Sequence, residues 1–127
     1  LVVDDVEIKA GPVADGAVKS IGFVRLRRDL DPIETHRYWE QVHGPLAVPI
    51  PQLRRYVQSH VRPGAYRGGA RPTWDGMALT WFDSVEDMRA SARTEALAAV
   101  IADGPMMADP SGLPTPTILT REVVCVG

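Results

Sequence analysis

Two spacings of apolar and polar residues alternate along the chain. The stretch Asp31–Pro45, DPIETHRYWEQVHGP, follows the helical one. At 100° per residue Thr35, His36, Trp39, Val42, His43 and Leu46 share one broad face, with Arg37, Glu40 and Gln41 opposite. Asp31 is placed to cap this helix, Pro32 fits its first turn and Glu34 sits where a capping box wants an acid. Gly44–Pro45 is expected to stop it. A second helix is predicted from the cap Ser84, with Asp87 three residues on, to the break at Asp103–Gly104–Pro105. Val85, Met88, Ala92, Ala96 and Ala99 form its apolar stripe, and the alanines allow close approach to a sheet.

The other spacing is two, the signature of strands. It marks Ala17–Arg28, Leu53–Pro63, Trp74–Phe82 and Thr117–Val126. Ile21, Phe23 and Arg25 face one way on the first, with Gly22, Val24 and Leu26 opposite. On the second, Tyr56, Gln58 and His60 oppose Arg55, Val57, Ser59 and Val61. On the third, Met77, Leu79 and Trp81 oppose Ala78, Thr80 and Phe82. Prolines punctuate residues 45–51, Pro63–Pro72 is a glycine-rich loop, Met106–Ala108 reads as a short buried turn and Pro110–Pro116 as another loop. Ahead of these, Leu1–Ile8 alternates weakly and is readable as an extra strand, followed by a linker, Lys9–Gly16. Its Leu1, Asp4, Val6 and Ile8 echo the spacing of Leu119, Glu122, Val124 and Val126, as the last strand of a preceding repeat would. The chain thus divides into an arm, residues 1–16, and one domain, residues 17–127.

The order strand, helix, strand, strand, helix, strand predicts an α+β split βαβ fold, with four antiparallel strands and both helices on one face. The bare sheet face needs a cover if it is apolar, and a symmetric homodimer supplies one. Val57, Val61, Ala78 and Phe82 are the candidates for that face.

Composition narrows the function classes. The chain has 127 residues, 45% of them hydrophobic and 24% charged, enough for one domain with a real core. A formal charge of −2 draws it to neither nucleic acid nor an anionic membrane. No run approaches a membrane span, and no signal peptide is visible. The single cysteine, Cys125, rules out an internal disulfide and suits a reducing compartment, so a cytoplasmic location is expected. The first residue is leucine, so the natural start, and any targeting signal, is expected upstream. His36 and His43, about 10.5 Å apart in helix rise, are too far apart to share one zinc. No phosphate loop or dinucleotide fingerprint is present, so no cofactor and no metal are expected.

The segments IGFVRLRRDLD, HRYWEQVHGPLA, LRRYVQSHV and WDGMALTWFDSVEDM, in this order, resemble the EthD family of dimeric α/β barrels. The resemblance runs over roughly Lys19–Val124. It implies a ferredoxin-like fold. Among wider relatives it implies cofactor-free cyclases, isomerases, quinone-forming monooxygenases and haem-degrading enzymes, and fold alone does not choose among these. His36, Trp39, His43 and Gly44–Pro45 match the family's helix motif, and Tyr56 and His60 its second-strand motif. The long Arg62–Thr73 loop and the arm before Lys19 depart from the family pattern.

Histidine suits proton transfer near neutral pH. His60, His43 and Tyr56 are therefore the candidate catalytic residues, with Tyr56 donating a hydrogen bond to oxygen. Trp39, Trp81, Trp74 and His36 are candidate substrate-binding residues. The expected function is cofactor-independent acid/base chemistry on a small, mostly apolar carbonyl or polyphenolic substrate, of cyclase, isomerase or monooxygenase type. The alternative is a non-catalytic hydrophobic-ligand carrier or accessory protein of an oxidoreductase pathway. Tyr56 and His60 lie about 13 Å apart along their strand, too far to bond directly. His60 is expected on the helix side, nearer His43 or Trp39 than the bare sheet face.

Overall fold

The alternating segments assemble into one antiparallel sheet in the computed structural model, which describes residues 3–112 and 117–121. Its strands are β1 (Val3–Lys9), β2 (Val18–Val24), β3 (Leu53–Val61), β4 (Gly76–Phe82) and β5 (Thr117–Arg121). They lie in the order β1-β3-β4-β2-β5. Without β1 this is the four-strand arrangement of a ferredoxin-like α+β fold. β1 adds a strand along the outer edge of β3, with Val3 opposite Val61 and Asp4 opposite His60. The fourth expected strand is described as far as Arg121; Glu122, Val124 and Val126 of the proposed echo, and Cys125, lie outside the described residues.

Register sorts the two faces. Tyr56 pairs with Thr80, Gln58 with Ala78 and His60 with Gly76, and these positions turn towards the helices. So does Phe82, which joins Leu53, Tyr56, Ala47 and Ile50 in the main core cluster. Val57, Ser59, Met77, Leu79 and Trp81 turn to the bare face. The assignment of Val57 and Val61 to that face holds. Ala78 and Phe82 do not belong there: their strand phase places them under the helices, and Met77, Leu79 and Trp81 take their place.

The first helix begins as its sequence dictates. The Asp31 carboxylate accepts from the Glu34 N–H at 3.0 Å, and α1 runs Pro32–Tyr38. It then widens into a π turn, Trp39–His43, and tightens into a 3₁₀ turn, Gly44–Ala47. Gly44–Pro45 therefore does not stop the helix. Gly44 keeps a helical φ of −55°, and its N–H reaches back five residues to the Trp39 carbonyl. That carbonyl also accepts from Gln58 Nε2 on β3. A Cβ on residue 44 would sit 2.5 Å from the Gln58 nitrogen, so only glycine lets the two elements meet. The wide turn also shifts the helical phase. Val42, expected inside, is 47% exposed, while Gly44 and Ala47 are buried.

The second predicted helix is two. α2 (Val85–Ser91) is capped by Ser84, and α3 (Glu95–Asp103) by Thr94, whose hydroxyl accepts from the Leu97 N–H at 3.1 Å. The break changes the buried stripe. Met88, Ala96, Leu97 and Val100 pack on the core, whereas Ala92 and Ala99 are exposed. In the turn after α3, Met107 is buried beside Leu26 and Trp39, but Met106 is 56% exposed. The Pro63–Pro72 loop is more ordered than its composition implies, and folds into 3₁₀ turns over Pro63–Gly69. No helix among the described residues is long and apolar enough to cross a membrane.

Candidate functional site

Between the helix face of the sheet and α2–α3 lies a cavity of about 430 Å³. Its floor is Ser20, Val24, Tyr56, Ala78, Thr80 and Phe82; its walls are Trp39, Ala47, Ile50, Met88, Leu97, Val100 and Met107. The alternation of β2, β3 and β4 places those floor residues, and the split of the second helix presents Leu97 and Val100. The lining is mostly apolar. Its few polar groups are the hydroxyls of Ser20, Thr80, Ser91 and Tyr56, the charges of Arg25 and Asp109, and the His43 imidazole.

His43 is held by a pair of partners. Its Nδ1 lies 2.8 Å from Asp103 Oδ2, and Asp103 Oδ1 accepts from the Tyr38 hydroxyl at 2.6 Å. The hydrogen bond from Tyr38, with a further one from His43, holds the Asp103 carboxyl below the usual range. An ionised Asp103 keeps a hydrogen on Nδ1 of His43, so Nε2 is the nitrogen left for a ligand. His43 itself is half-buried at the cavity wall. Neither Asp103 nor Tyr38 was among the sequence candidates; an acid directly before a Gly–Pro break was the available signal.

Tyr56 is buried at the cavity floor, and its hydroxyl accepts from Gln58 Nε2 at 3.0 Å. Burial pushes its phenol up, while hydrogen bonds from Gln58 and the Trp39 side chain pull it back in part. His60 lies on the helix side as expected, with its ring 4.3 Å from that of Trp39. It is not among the residues lining the cavity. It sits behind Trp39 and bonds to Gln58 Oε1 through Nε2 at 2.8 Å. Gln58 thus bridges the two residues that spacing alone kept apart.

The π turn sends the two helix histidines to different places. His43 goes to Asp103, whereas His36 Nδ1 meets His60 Nδ1 at 2.7 Å. His36 Nε2 meets the Tyr66 hydroxyl at 2.6 Å, and Tyr66 donates to Asp75 Oδ1. The other Asp75 oxygen accepts from the Leu26 N–H at 2.7 Å. Burial holds both histidines below the ordinary value, His60 at about 4. Tyr66 is raised, first by burial and then by its bond to Asp75. A separate recess of about 280 Å³, lined in part by Asp4, Glu40, His36 and His60, reaches the pair from the outer side. Tyr66, Asp75 and Gln58 escaped the sequence reading. Gln58 was visible as the middle of Tyr-x-Gln-x-His on one strand face, but Tyr66 lies in a loop whose contacts no periodicity reveals.

The remaining tryptophans lie elsewhere. Trp81 is on the bare face, with Lys19 Nζ and the Arg55 guanidinium each 5.0 Å from its ring. Trp74 packs against Phe23, with Arg25 4.7 Å from its ring. Neither lines the cavity. Among the described residues there is no group of three or more histidines, cysteines or acids arranged to hold a metal ion.

Comparison with known proteins agrees with this architecture. No curated protein sequence matches the chain. A solved EthD family protein from Bacillus halodurans is 17% identical with a TM-score of 0.60, covering 85% of this chain and 99% of its own. A dimeric protein of unknown function and ferredoxin-like fold from Bacteroides fragilis is 17% identical with a TM-score of 0.61, covering 85% and 98%. A dimeric ferredoxin-like protein of unknown function from Thermobifida fusca is 15% identical with a TM-score of 0.57, covering 89% and 95%. At these identities the likeness is one of fold. The sequence model of the EthD domain matches residues 27–111, more than half of the chain, and the chain belongs to the EthD family.

Proposed function

We propose that the protein is a cofactor-independent acid/base enzyme acting on a small, mostly apolar carbonyl or polyphenolic molecule. The observation that carries this reading is His43, set in the wall of an apolar cavity with Nδ1 held by Asp103. Its bare Nε2 removes a proton next to a carbonyl, and Tyr56 donates a hydrogen bond to the oxygen that gains charge. Trp39 supplies a flat wall. His60 and His36 act from behind Trp39. Trp81 and Trp74 have no part in this cavity. Cyclisation, isomerisation and oxygenation all begin with such a proton removal, and the cavity suits each.

The same reading makes the protein a homodimer. Two of the solved neighbours are named dimeric, and the bare sheet face here presents Val57, Leu79 and Trp81. Depletion of compounds from a metabolite extract by purified protein, with His43→Ala and His60→Ala as controls, tests the enzyme. Loss of turnover in His43→Ala is the expected result. Retention of an apolar compound without conversion favours the carrier instead.

A further inference from the structure

The contacts running from Tyr56 to Asp75 admit few arrangements of hydrogen. The Trp39 carbonyl only accepts, so the end of Gln58 that lies 3.0 Å from it is the amide nitrogen. The other end is the carbonyl oxygen, and His60 Nε2 must donate to it. With its value held near 4, the His60 ring is neutral at pH 7 and its Nδ1 is bare. His36 therefore supplies the hydrogen in the 2.7 Å contact between the two Nδ1 atoms. Two contacts remain, His36 to Tyr66 and Tyr66 to Asp75, and each needs a hydrogen. The phenol brings one. The second is a proton beyond those of a neutral His36 and an ionised Asp75, and it belongs to the group as a whole.

At the other end, the Tyr56 oxygen accepts from Gln58 Nε2. Its own hydrogen is then left for the cavity that Tyr56 lines. We propose that Asp75, Tyr66, His36, His60 and Gln58 form one directed string of hydrogen bonds, which holds one extra proton and fixes the Tyr56 hydroxyl as a donor to a ligand oxygen. The ligand half of this rests on the reading of the cavity above; the string itself does not. Gln58 is the positioning residue, since it touches no ligand and, anchored on the Trp39 carbonyl, directs both Tyr56 and the outer members. The string selects a ligand with an acceptor oxygen, a ketone or a phenolate, and disfavours a ligand that brings only a donor to Tyr56. Arg71 and Arg28 flank Tyr66 and Asp4 faces His60, so the string runs between charges of both signs.

Nitrogen-15 NMR of the imidazoles reads the string directly. Near neutral pH, His60 is expected as the neutral form protonated on Nε2, with His36 protonated on Nδ1. Asp75→Asn preserves this pattern, because an asparagine amide supplies the second hydrogen that the extra proton supplies in the wild type. Gln58→Met loses it, leaving both rings in mixed forms, whereas Tyr66→Phe keeps it, because Gln58 and not Tyr66 sets the direction. Binding of 4-nitrophenol in its phenolate form, followed by its absorbance, reads the cavity end, with 4-nitrotoluene as the partner that shares the nitro group but lacks the phenolate oxygen. Gln58→Met is expected to weaken 4-nitrophenol by roughly three- to tenfold, the worth of one hydrogen bond, and to leave 4-nitrotoluene unchanged. A neutral His60 protonated on Nδ1, or an Asp75→Asn variant as disordered as Gln58→Met, overturns the string. Equal weakening of both probes overturns its action on Tyr56. If 4-nitrophenol does not bind the wild type while the imidazole pattern is found, the ligand reading falls and the string stands.

Discussion

The nitrogen that an imidazole offers is the one its neighbours leave bare, and the two histidine sites settle this in opposite ways. At the cavity, Asp103 takes Nδ1 of His43 and leaves Nε2 for a ligand. Behind Trp39, both nitrogens of His36 and of His60 are engaged. Asp103→Asn offers His43 an amide that can donate to Nδ1 and move the ring hydrogen to Nε2. On any substrate the wild type turns over, kcat is expected to fall by about 10²- to 10⁴-fold, the range for losing a general base, with the melting temperature little changed. Tyr38→Phe, which keeps the Asp103–His43 contact, is expected to cost far less. His60 makes a prediction about stability. An unfolded histidine takes a proton below about pH 6.5, but the folded His60 resists it down to about 4. Stability is therefore full above pH 6.5 and falls as pH drops through that window, by roughly 3 kcal/mol. Urea unfolding across this range should show the loss, and His60→Gln should flatten it. The residue types of the site were legible in sequence, and so was the face that Tyr56, Gln58 and His60 share. Their partners were not, because Asp103, Tyr66 and Asp75 arrive from segments whose approach depends on tertiary packing.

At the scale of the element, each departure from the expected helices has a local cause. Caps were readable: Asp31 and Ser84 both accept the expected N–H. Thr94 caps a helix too, yet it sits inside a stretch whose apolar spacing continues through it, so the break was hidden. The π turn at Trp39–His43 was hidden for another reason. A face drawn at 100° per residue assumes uniform turns, and one wide turn rotates everything after it. The strands fared better, since period two survives unless a bulge intervenes; one lies between Leu53 and Arg55. Gly76 shows how closely the elements fit. A Cβ there would come within 2.1 Å of the Ser59 carbonyl oxygen and 2.8 Å of the Trp39 ring. Backbone cannot yield cheaply at that distance. Gly76→Ala is expected to destabilise the fold by about 1–3 kcal/mol, read from the urea midpoint, and to disturb the His60–Trp39 contact in the same step. Thr94→Ala should cost about 1 kcal/mol by loss of a cap alone, and leave that contact intact.

At the scale of the whole molecule, the sheet has two faces with different surroundings. The order of elements was enough to foresee this, because a four-strand sheet with both helices on one side must leave the other side bare. Strand phase alone did not say which residues go where; Ala78 and Phe82 were sorted only by their pairing with Gln58 and Leu53. The bare side carries Leu79 at its middle, opposite Val57 on β3 and Ile21 on β2. Leu79→Lys places a charge among these apolar neighbours. In a monomer that change lies on a solvated surface and should do little. In a homodimer closed through this face it buries an unpaired ammonium at the interface, which the partner's identical substitution opposes again by like charge. Sedimentation at micromolar concentration is expected to show a dimer for the wild type and a monomer for Leu79→Lys, with circular dichroism unchanged. The cavity lies under the opposite face, so the monomeric variant should still bind an apolar probe. If it does, assembly and ligand recognition belong to separate faces of the same sheet. A wild-type protein that sediments as a monomer removes the dimer and leaves the His43–Asp103 site to be judged on its own.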